Sequence, residues 1–385
     1  EWAELVATFD PAAGAPPVTV QPDDASTILY TSGTTGRPKG AVHTHRNHVT
    51  NALNVLLTGR AGAAARGIAP PARSGMLLTY PLFHIAGLNS LYQQVLVGGS
   101  VATLYRWDRD EARRLVREHG LTAAAGVPTT LRELAEDTIA HPDEMGTLTR
   151  FGMGGAPIPG ELVRRIGTAL GPYAANGYGL TETTSAICAN GSTDYLAHPD
   201  SVGRLAPGAD LRVVDPDTLL DVPAGEIGEL WFRGPNVVGG YWRSPEATAA
   251  AFVDGWFRTG DLGFTQAGWV YVVDRLKDVV IRGGENVYSS QVEAALHEVP
   301  WVEEVAVFGL PHETLGEEVA AAVRPAPGAG GTDEAAAELR TRVAERVASF
   351  AVPTTVLWWD EPLPRTATGK ILKRELRERG EHPPR

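Results

Sequence analysis

Residues 30–40 read Tyr-Thr-Ser-Gly-Thr-Thr-Gly-Arg-Pro-Lys-Gly (YTSGTTGRPKG), and seven of the eleven are Thr, Ser or Gly. They follow a short apolar, strand-like stretch, Ile28-Leu29-Tyr30. Glycines without Cβ let backbone approach a ligand closely, hydroxyls and N–H groups supply donors, and Lys39 adds a positive charge. These are the components of a polyphosphate cradle. A Walker A loop is excluded, because it needs Lys directly after its second Gly and then Ser or Thr, whereas Gly36 is followed by Arg37-Pro38-Lys39-Gly40. Taken alone, the stretch also has the composition of a flexible surface turn. The decision between the two lies in what surrounds it.

Ahead of the loop, residues 1–25 hold a Pro/Ala/Gly-rich piece, PAAGAPPV, and read as a connecting loop before a strand at Thr27–Tyr30. Behind it, Val49, Ala52, Leu53, Leu56 and Leu57 recur at helical spacing, which predicts an amphipathic helix over 45–58 followed by a variable loop over 59–73. An alternation then sets in. Strand-like Met76–Tyr80, Val101–Leu104, Leu121–Ala125 and the region of Phe151 are separated by helical Leu88–Val97, a helix capped by Asp108, one from Thr129 and one opened by Pro159-Gly160-Glu161. Such βα alternation implies a mostly parallel sheet flanked by helices, with ligands beyond the carboxyl ends of its strands. From Leu211 the pattern changes to strands without helices: LRVVD, IGELWFRG and WVYVVD. After Asp274–Lys277 strands and helices mix again, with helices over 289–298 and 333–348. The reading is α/β. A large N-terminal domain (1–274) combines a parallel sheet with a β-rich subdomain, and a small α+β domain (275–385) follows.

A chain of 385 residues exceeds one ordinary core, consistent with two domains. A formal charge of -12 argues against a nucleic-acid surface but leaves room for a local basic loop that binds phosphate. The single cysteine, Cys188, cannot form an internal disulfide, no Cys/His set has zinc spacing, and no apolar run approaches the roughly 18 residues of a membrane span. A cytoplasmic location is expected, with peripheral membrane contact left open.

Seven more stretches carry chemistry. They are PLFHIAG (81–87), GMGGAP (152–157), NGYGLTETT (176–184), TGD (259–261), DRLKD (274–278), RGGENVYSSQVE (282–293) and PRTATGKILK (364–373). Singly, each has an ordinary reading: a satisfied histidine, a βα turn, a helix-start carboxylate, a hinge-free loop or a surface lysine. Together with YTSGTTGRPKG, and in this order, they resemble the adenylate-forming (AMP-binding) superfamily of acyl-CoA synthetases, luciferases and peptide-synthetase adenylation domains. The resemblance runs from Ile28 to Lys373. Members of that family carry a substantial region ahead of the phosphate loop, so the chain reads as N-terminally incomplete.

The resemblance implies roles. Thr31, Ser32, Gly33, Thr34, Thr35, Gly36 and Lys39 would hold the β- and γ-phosphates of ATP. Gly155, Ala156, Asn176 and Gly177 would support the adenine, Tyr178 would stack on it, and Thr181 would contact phosphate. Glu182 would hold Mg²⁺, a hard ion that prefers carboxylate and phosphate oxygens. Asp261 would accept from the ribose hydroxyls and Arg275 would reach ribose or phosphate. Lys277 would be the pivot of a mobile C-terminal domain, while Gly283 and Gly284 would line the pantetheine tunnel of coenzyme A. His84 would sit where acyl group, adenylate and thiol meet, and Lys370 would meet the carboxylate and α-phosphate during adenylation. Two departures stand out: Ser289-Ser290 replace a Pro-containing turn, and Ala351 stands where a lysine often precedes the Val-Pro pair.

The implied activity is that of an acyl-CoA synthetase, an AMP-forming acid–thiol ligase using ATP, Mg²⁺ and coenzyme A, with a medium- or long-chain fatty acid as the favoured substrate. An aryl-acid (coumarate- or ferulate-like) CoA ligase, a domain loading a carrier protein, a luciferase-like oxygenase and a non-catalytic nucleotide-binding fragment are the alternatives.

Overall fold

The structure is a computed structural model and describes residues 18–31, 38–64, 73–155, 158, 160–171, 174–366 and 369–381, together with positions 4, 8 and 67. Strand β1 (Ala25–Thr31) pairs antiparallel with β2 (Lys39–Thr44), so Thr31 faces Lys39 and the two ends of the glycine-rich stretch lie side by side.

Helix α1 (His45–Ala64) departs from expectation twice. It runs past residue 58, because the alanines of the segment 59–64 favour helix. It also turns most of the predicted stripe outward, Ala52 alone of its five residues being buried. Val49, Leu53 and Leu57 are exposed, while Asn47, His48, Asn51 and Asn54 are buried. The apolar stripe lost to a polar one because the carboxamides hydrogen-bond backbone carbonyls of neighbouring strands and turns, which satisfies them out of water.

The alternation that follows is as expected: β3 (Gly75–Leu78), α2 (Ile85–Leu96), β4 (Ser100–Thr103), α3 (Arg109–His119), β5 (Ala123–Gly126), α4 (Pro128–Ala140), β6 (Arg150–Gly154), α5 (Gly160–Leu170) and β7 (Ala174–Leu180). The Asp108 carboxylate caps α3 by accepting from Glu111 N at 3.0 Å. The strands lie parallel in the order β4-β3-β5-β6-β7. Leu77, Leu131, Leu134, Phe151, Val163 and Ile166 form the core between this sheet and its helices. Strand β8 (Ser185–Gly191), which the sequence pattern did not announce, returns antiparallel to β7, and β9 (Arg204–Leu205) continues the sheet.

The β-rich part holds β10 (Asp210–Val214), β11 (Gly228–Arg233), β12 (Phe252–Val253), β13 (Trp256–Gln266) and β14 (Trp269–Arg275), antiparallel in the order β10-β11-β13-β12, with β14 on β13. A bridge between Gly203 and Val270 joins it to the first sheet. The chain leaves β14 through one 3-10 turn, Leu276–Asp278, and enters the small domain. There β15 (Val280–Arg282), β16 (Glu285–Val287), α6 (Ser289–His297), β17 (Val302–His312), β18 (Gly316–Pro325), α7 (Asp333–Ala344), β19 (Thr355–Trp358) and α8 (Lys373–Glu381) build a sheet ordered β16-β15-β18-β17 with β19 parallel to β18. Its strands bury both faces by strict alternation: Val305, Val307, Val319 and Ala321 on one side, Ala306, Phe308, Ala320 and Ala322 with Leu376 on the other. The fold is therefore α/β with a large parallel-sheet domain and a smaller C-terminal domain. Among the described residues no helix is long and apolar enough to cross a membrane.

Candidate active site

Two carboxylates of the large domain anchor the site. Asp261 lies on β13, opposite Arg275 of β14 in the register, and is 5% exposed. Its Oδ2 accepts from the Tyr178 hydroxyl at 2.7 Å and its Oδ1 lies 3.3 Å from Arg275 Nε. The backbone before it is held by Glu229, which accepts from Gly260 N at 3.0 Å and pairs with Arg258 at 3.0 Å. Burial pushes the Asp261 carboxyl above the usual carboxylate range, opposed by the Arg275 guanidinium and the Tyr178 hydroxyl. Burial first, and the Asp261 charge second, push the Tyr178 phenol far upward, so it remains a donor. A vicinal diol could replace these protein partners at Asp261.

Glu182 lies in the turn between β7 and β8 and is buried. Tyr241 donates to its Oε1 at 2.7 Å, and burial followed by the Glu182 charge keeps that phenol protonated. Lys39 Nζ sits 5.4 Å from the centre of the Tyr241 ring, which brings the start of β2, at the end of the glycine-rich stretch, near the same carboxylate. Among the described residues no group of three or more metal-binding side chains occurs. A single carboxylate is nevertheless what Mg²⁺ needs when phosphate oxygens and water complete its octahedron, so Glu182 fits that ion. Tyr241 was missed in the sequence; the Gly239-Gly240-Tyr241-Trp242 run was its only signal.

The small domain reaches this place through Lys370. The residue sits on a tight hairpin in which Thr366 N donates to Lys370 O at 2.8 Å and Lys370 N donates to Thr366 Oγ1 at 3.2 Å. Burial in the cleft, then the Arg275 guanidinium, lower its pKa below that of an ordinary lysine, while Asp261 and Glu182 oppose them. Much of the residue stays exposed, so the cleft around it is open to water. His84 caps α2, its Nδ1 accepting from Ala86 N at 3.2 Å. That bond leaves the proton of the neutral ring on Nε2. Burial and the nearby Lys370 ammonium lower its pKa and favour this neutral form. His84 is thus set up as a donor from Nε2 rather than as a base.

Of the other expected residues, Thr31 and Lys39 close the hairpin, and Gly155, Asn176, Gly177 and Tyr178 gather at the ends of β6 and β7, where Gly154 pairs with Gly177. Thr181 opens the Glu182 turn, and its carbonyl accepts from His43 Nε2 at 2.8 Å. Ser32, Gly33, Thr34, Thr35, Gly36 and Ala156 lie outside the described residues. Lys277 is exposed in the turn between the domains and 3.9 Å from Asp278. Gly283 (φ 60°) and Gly284 (φ 87°) form the exposed turn between β15 and β16 in the small domain. Ser289 and Ser290, the departure noted above, start α6 and bind Asp274: Ser289 Oγ donates to Oδ2 at 3.0 Å and Ser290 N at 3.2 Å.

The family profile described as AMP-binding enzyme matches residues 2–242, and that of the AMP-binding enzyme C-terminal domain matches residues 291–370. A feruloyl-CoA synthase of an Amycolatopsis species is 38% identical over 96% of this chain and 73% of its own length. A long-chain-fatty-acid–CoA ligase of Mycobacterium tuberculosis is 36% identical over 95% of this chain and 70% of the relative. Among solved structures, ATP-bound MatB from Rhodopseudomonas palustris has a TM-score of 0.86 at 33% identity, covering 99% of this chain and 72% of that one. The apo structure of the same protein has a TM-score of 0.72 at 32% identity, with the same coverage of both chains. Sequence and fold agree over both domains, and the chain belongs to the AMP-binding enzyme family, among its AMP-forming acid–thiol ligases.

Proposed function

We propose that the chain activates a carboxylic acid with a large apolar body, using ATP, and passes the acyl group to coenzyme A. One observation carries the reading: Lys370 of the small domain lies within electrostatic reach of both Asp261 and Glu182 of the large one. In the first half-reaction a carboxylate oxygen of the acid attacks the α-phosphorus, the bond to the β-phosphate oxygen breaks, and pyrophosphate leaves. Lys370 places positive charge at the attacked phosphoryl group and the incoming carboxylate. Asp261 with Arg275 holds the ribose, Tyr178 the base, and Thr31–Lys39 the outer phosphates. Glu182 would hold Mg²⁺, which when bound would neutralise charge on the departing phosphates. Nε2–H of His84 donates to the acid.

In the second half-reaction the sulfur of coenzyme A attacks the acyl carbon and AMP leaves with the bonding electrons. We assign Lys277 as the pivot about which residues 275–385 turn, exchanging Lys370 for the Gly283–Gly284 turn. As for the acid, exposed Leu82 and Phe83 beside His84 favour an apolar body. The feruloyl and long-chain fatty-acid relatives span both aryl and alkyl versions of such a body. The test is pyrophosphate release with aryl-propenoic, medium-chain and long-chain acids, acetate and amino acids, with and without coenzyme A. Release with an apolar acid, and acyl-CoA only when coenzyme A is added, supports the proposal; release confined to acetate or to amino acids overturns it.

A further inference from the structure

The turn that carries Glu182 is a strained piece of backbone held by side chains from four other places. Thr184 (φ 54°) and Ser185 (φ 80°) both lie in the left-handed region, which is unfavourable for L-residues and persists only where surroundings over-determine it. Every carbonyl from 181 to 186 has a donor, and all but that of Ser185 have one from outside the turn. Thr181 O accepts from His43 Nε2 (2.8 Å), Glu182 O from Val238 N (2.9 Å) and Thr183 O from Asn236 Nδ2 (3.1 Å). Thr184 O accepts from Asn89 Nδ2 (2.6 Å), Ser185 O from Thr183 Oγ1 (2.7 Å) and Ala186 O from Asn51 Nδ2 (2.7 Å).

Asn89 is the hub of this scaffold. It is fully buried, and its Oδ1 accepts from His48 Nδ1 at 2.8 Å, whose Nε2 in turn accepts from Thr27 Oγ1 at 2.8 Å. Its Nδ2 also lies 3.4 Å from Asn51 Oδ1. The acceptor on one side of the carboxamide fixes which side donates, so Asn89 must present N–H to Thr184 O. The helix that carries Asn89, α2, starts at His84. One rigid element therefore supplies the acid-side histidine and the peg that holds the Glu182 turn.

We infer that Asn89 is a positioning residue: it fixes the turn so that the Glu182 carboxylate is preset for a divalent ion, and it couples that turn to the helix flanking the acid. The inference rests on the proposed role of Glu182. Asn89→Asp keeps the shape of the side chain and removes the donor to Thr184 O. The metal is read with Mn²⁺ by electron paramagnetic resonance in the presence of a non-hydrolysable ATP analogue. Affinity for Mn²⁺ is expected to fall about 10-fold or more, with a matching loss in pyrophosphate release. Thioester formation from supplied acyl-AMP, which needs no metal, should stay within about two-fold, a pattern that general destabilisation would not produce. Should Asn89→Asp not fold, Asn236→Asp, which removes the donor to Thr183 O, takes its place with the same expectation. Glu182→Gln is measured alongside. If it keeps Mn²⁺ affinity, the reading of Glu182 itself fails. If it loses Mn²⁺ while the asparagine variant binds normally, or if both half-reactions of that variant fall together, the positioning role is overturned.

Discussion

In the proposed mechanism Lys370 is both necessary and poised. Its charge is wanted at the attacked phosphoryl group, yet burial and Arg275 make that charge easier to lose. Lys370→Ala should lower pyrophosphate release by at least about 100-fold while largely sparing thioester formation from supplied acyl-AMP, and equal loss of both would refute the assignment. Because the folded pKa is depressed, adenylation should decline on the alkaline side earlier than an ordinary lysine would allow. A rate profile for Lys370→Arg should carry that limb to higher pH. His43 is a different case. Burial pushes its imidazole from 6.5 down to about 4, so the unfolded chain binds a proton between those values and the folded one does not. Stability is therefore present above the unfolded value and is lost as pH falls through that window. Between pH 7 and 5 the loss is about 2 kcal/mol. His43→Gln, which can still donate to Thr181 O, should lose correspondingly less in denaturant titrations at the two pH values.

At the scale of elements, the β7–β8 hairpin matters most, because its turn holds Glu182. Gly179 sits where the hairpin closes, and a Cβ there would lie 1.9 Å from Ser185 O and 2.6 Å from Ser185 C. Backbone cannot step aside as a flexible side chain can. Gly179→Ala should therefore destabilise the large domain by about 3 kcal/mol and remove adenylation, with thermal unfolding as the check. An unchanged melting temperature would show that the hairpin is more yielding than its spacing indicates. Helix α1 illustrates the opposite lesson about periodicity. The spacing of Val49, Ala52, Leu53, Leu56 and Leu57 called for an apolar inner face, and the helix formed, but only Ala52 is buried with the asparagines, while Val49, Leu53 and Leu57 stay exposed.

The whole molecule places its two domains so that a short turn, Leu276–Asp278, is the covalent link between the groups of the large domain and Lys370. A second tie crosses the same boundary. Lys373 Nζ donates to Ser289 Oγ and pairs with Glu293, both at 2.8 Å, and Ser289 donates to Asp274. Lys277→Pro removes φ freedom at the proposed pivot. It should leave pyrophosphate release near the wild-type rate and slow acyl-CoA formation by about 10-fold or more; normal thioester formation would sink the pivot.

What the chain's residues determined unaided was local or strongly patterned: the βα alternation, the Asp108 cap, the glycine-rich stretch ahead of Lys39, and the eight motifs whose order named the family. Those signals survive in one dimension because turn chemistry and strand or helix period act between near neighbours. The meeting of Lys39, Tyr241 and Glu182, the pairing of Tyr178 with Asp261, and the four side chains that hold the Glu182 turn were decided only by the fold. Each joins residues far apart in the chain, and the buried asparagines that do the joining have no apolar period to betray them. A carboxamide becomes an interior residue only when a particular carbonyl waits for it, and only the tertiary structure puts that carbonyl within reach.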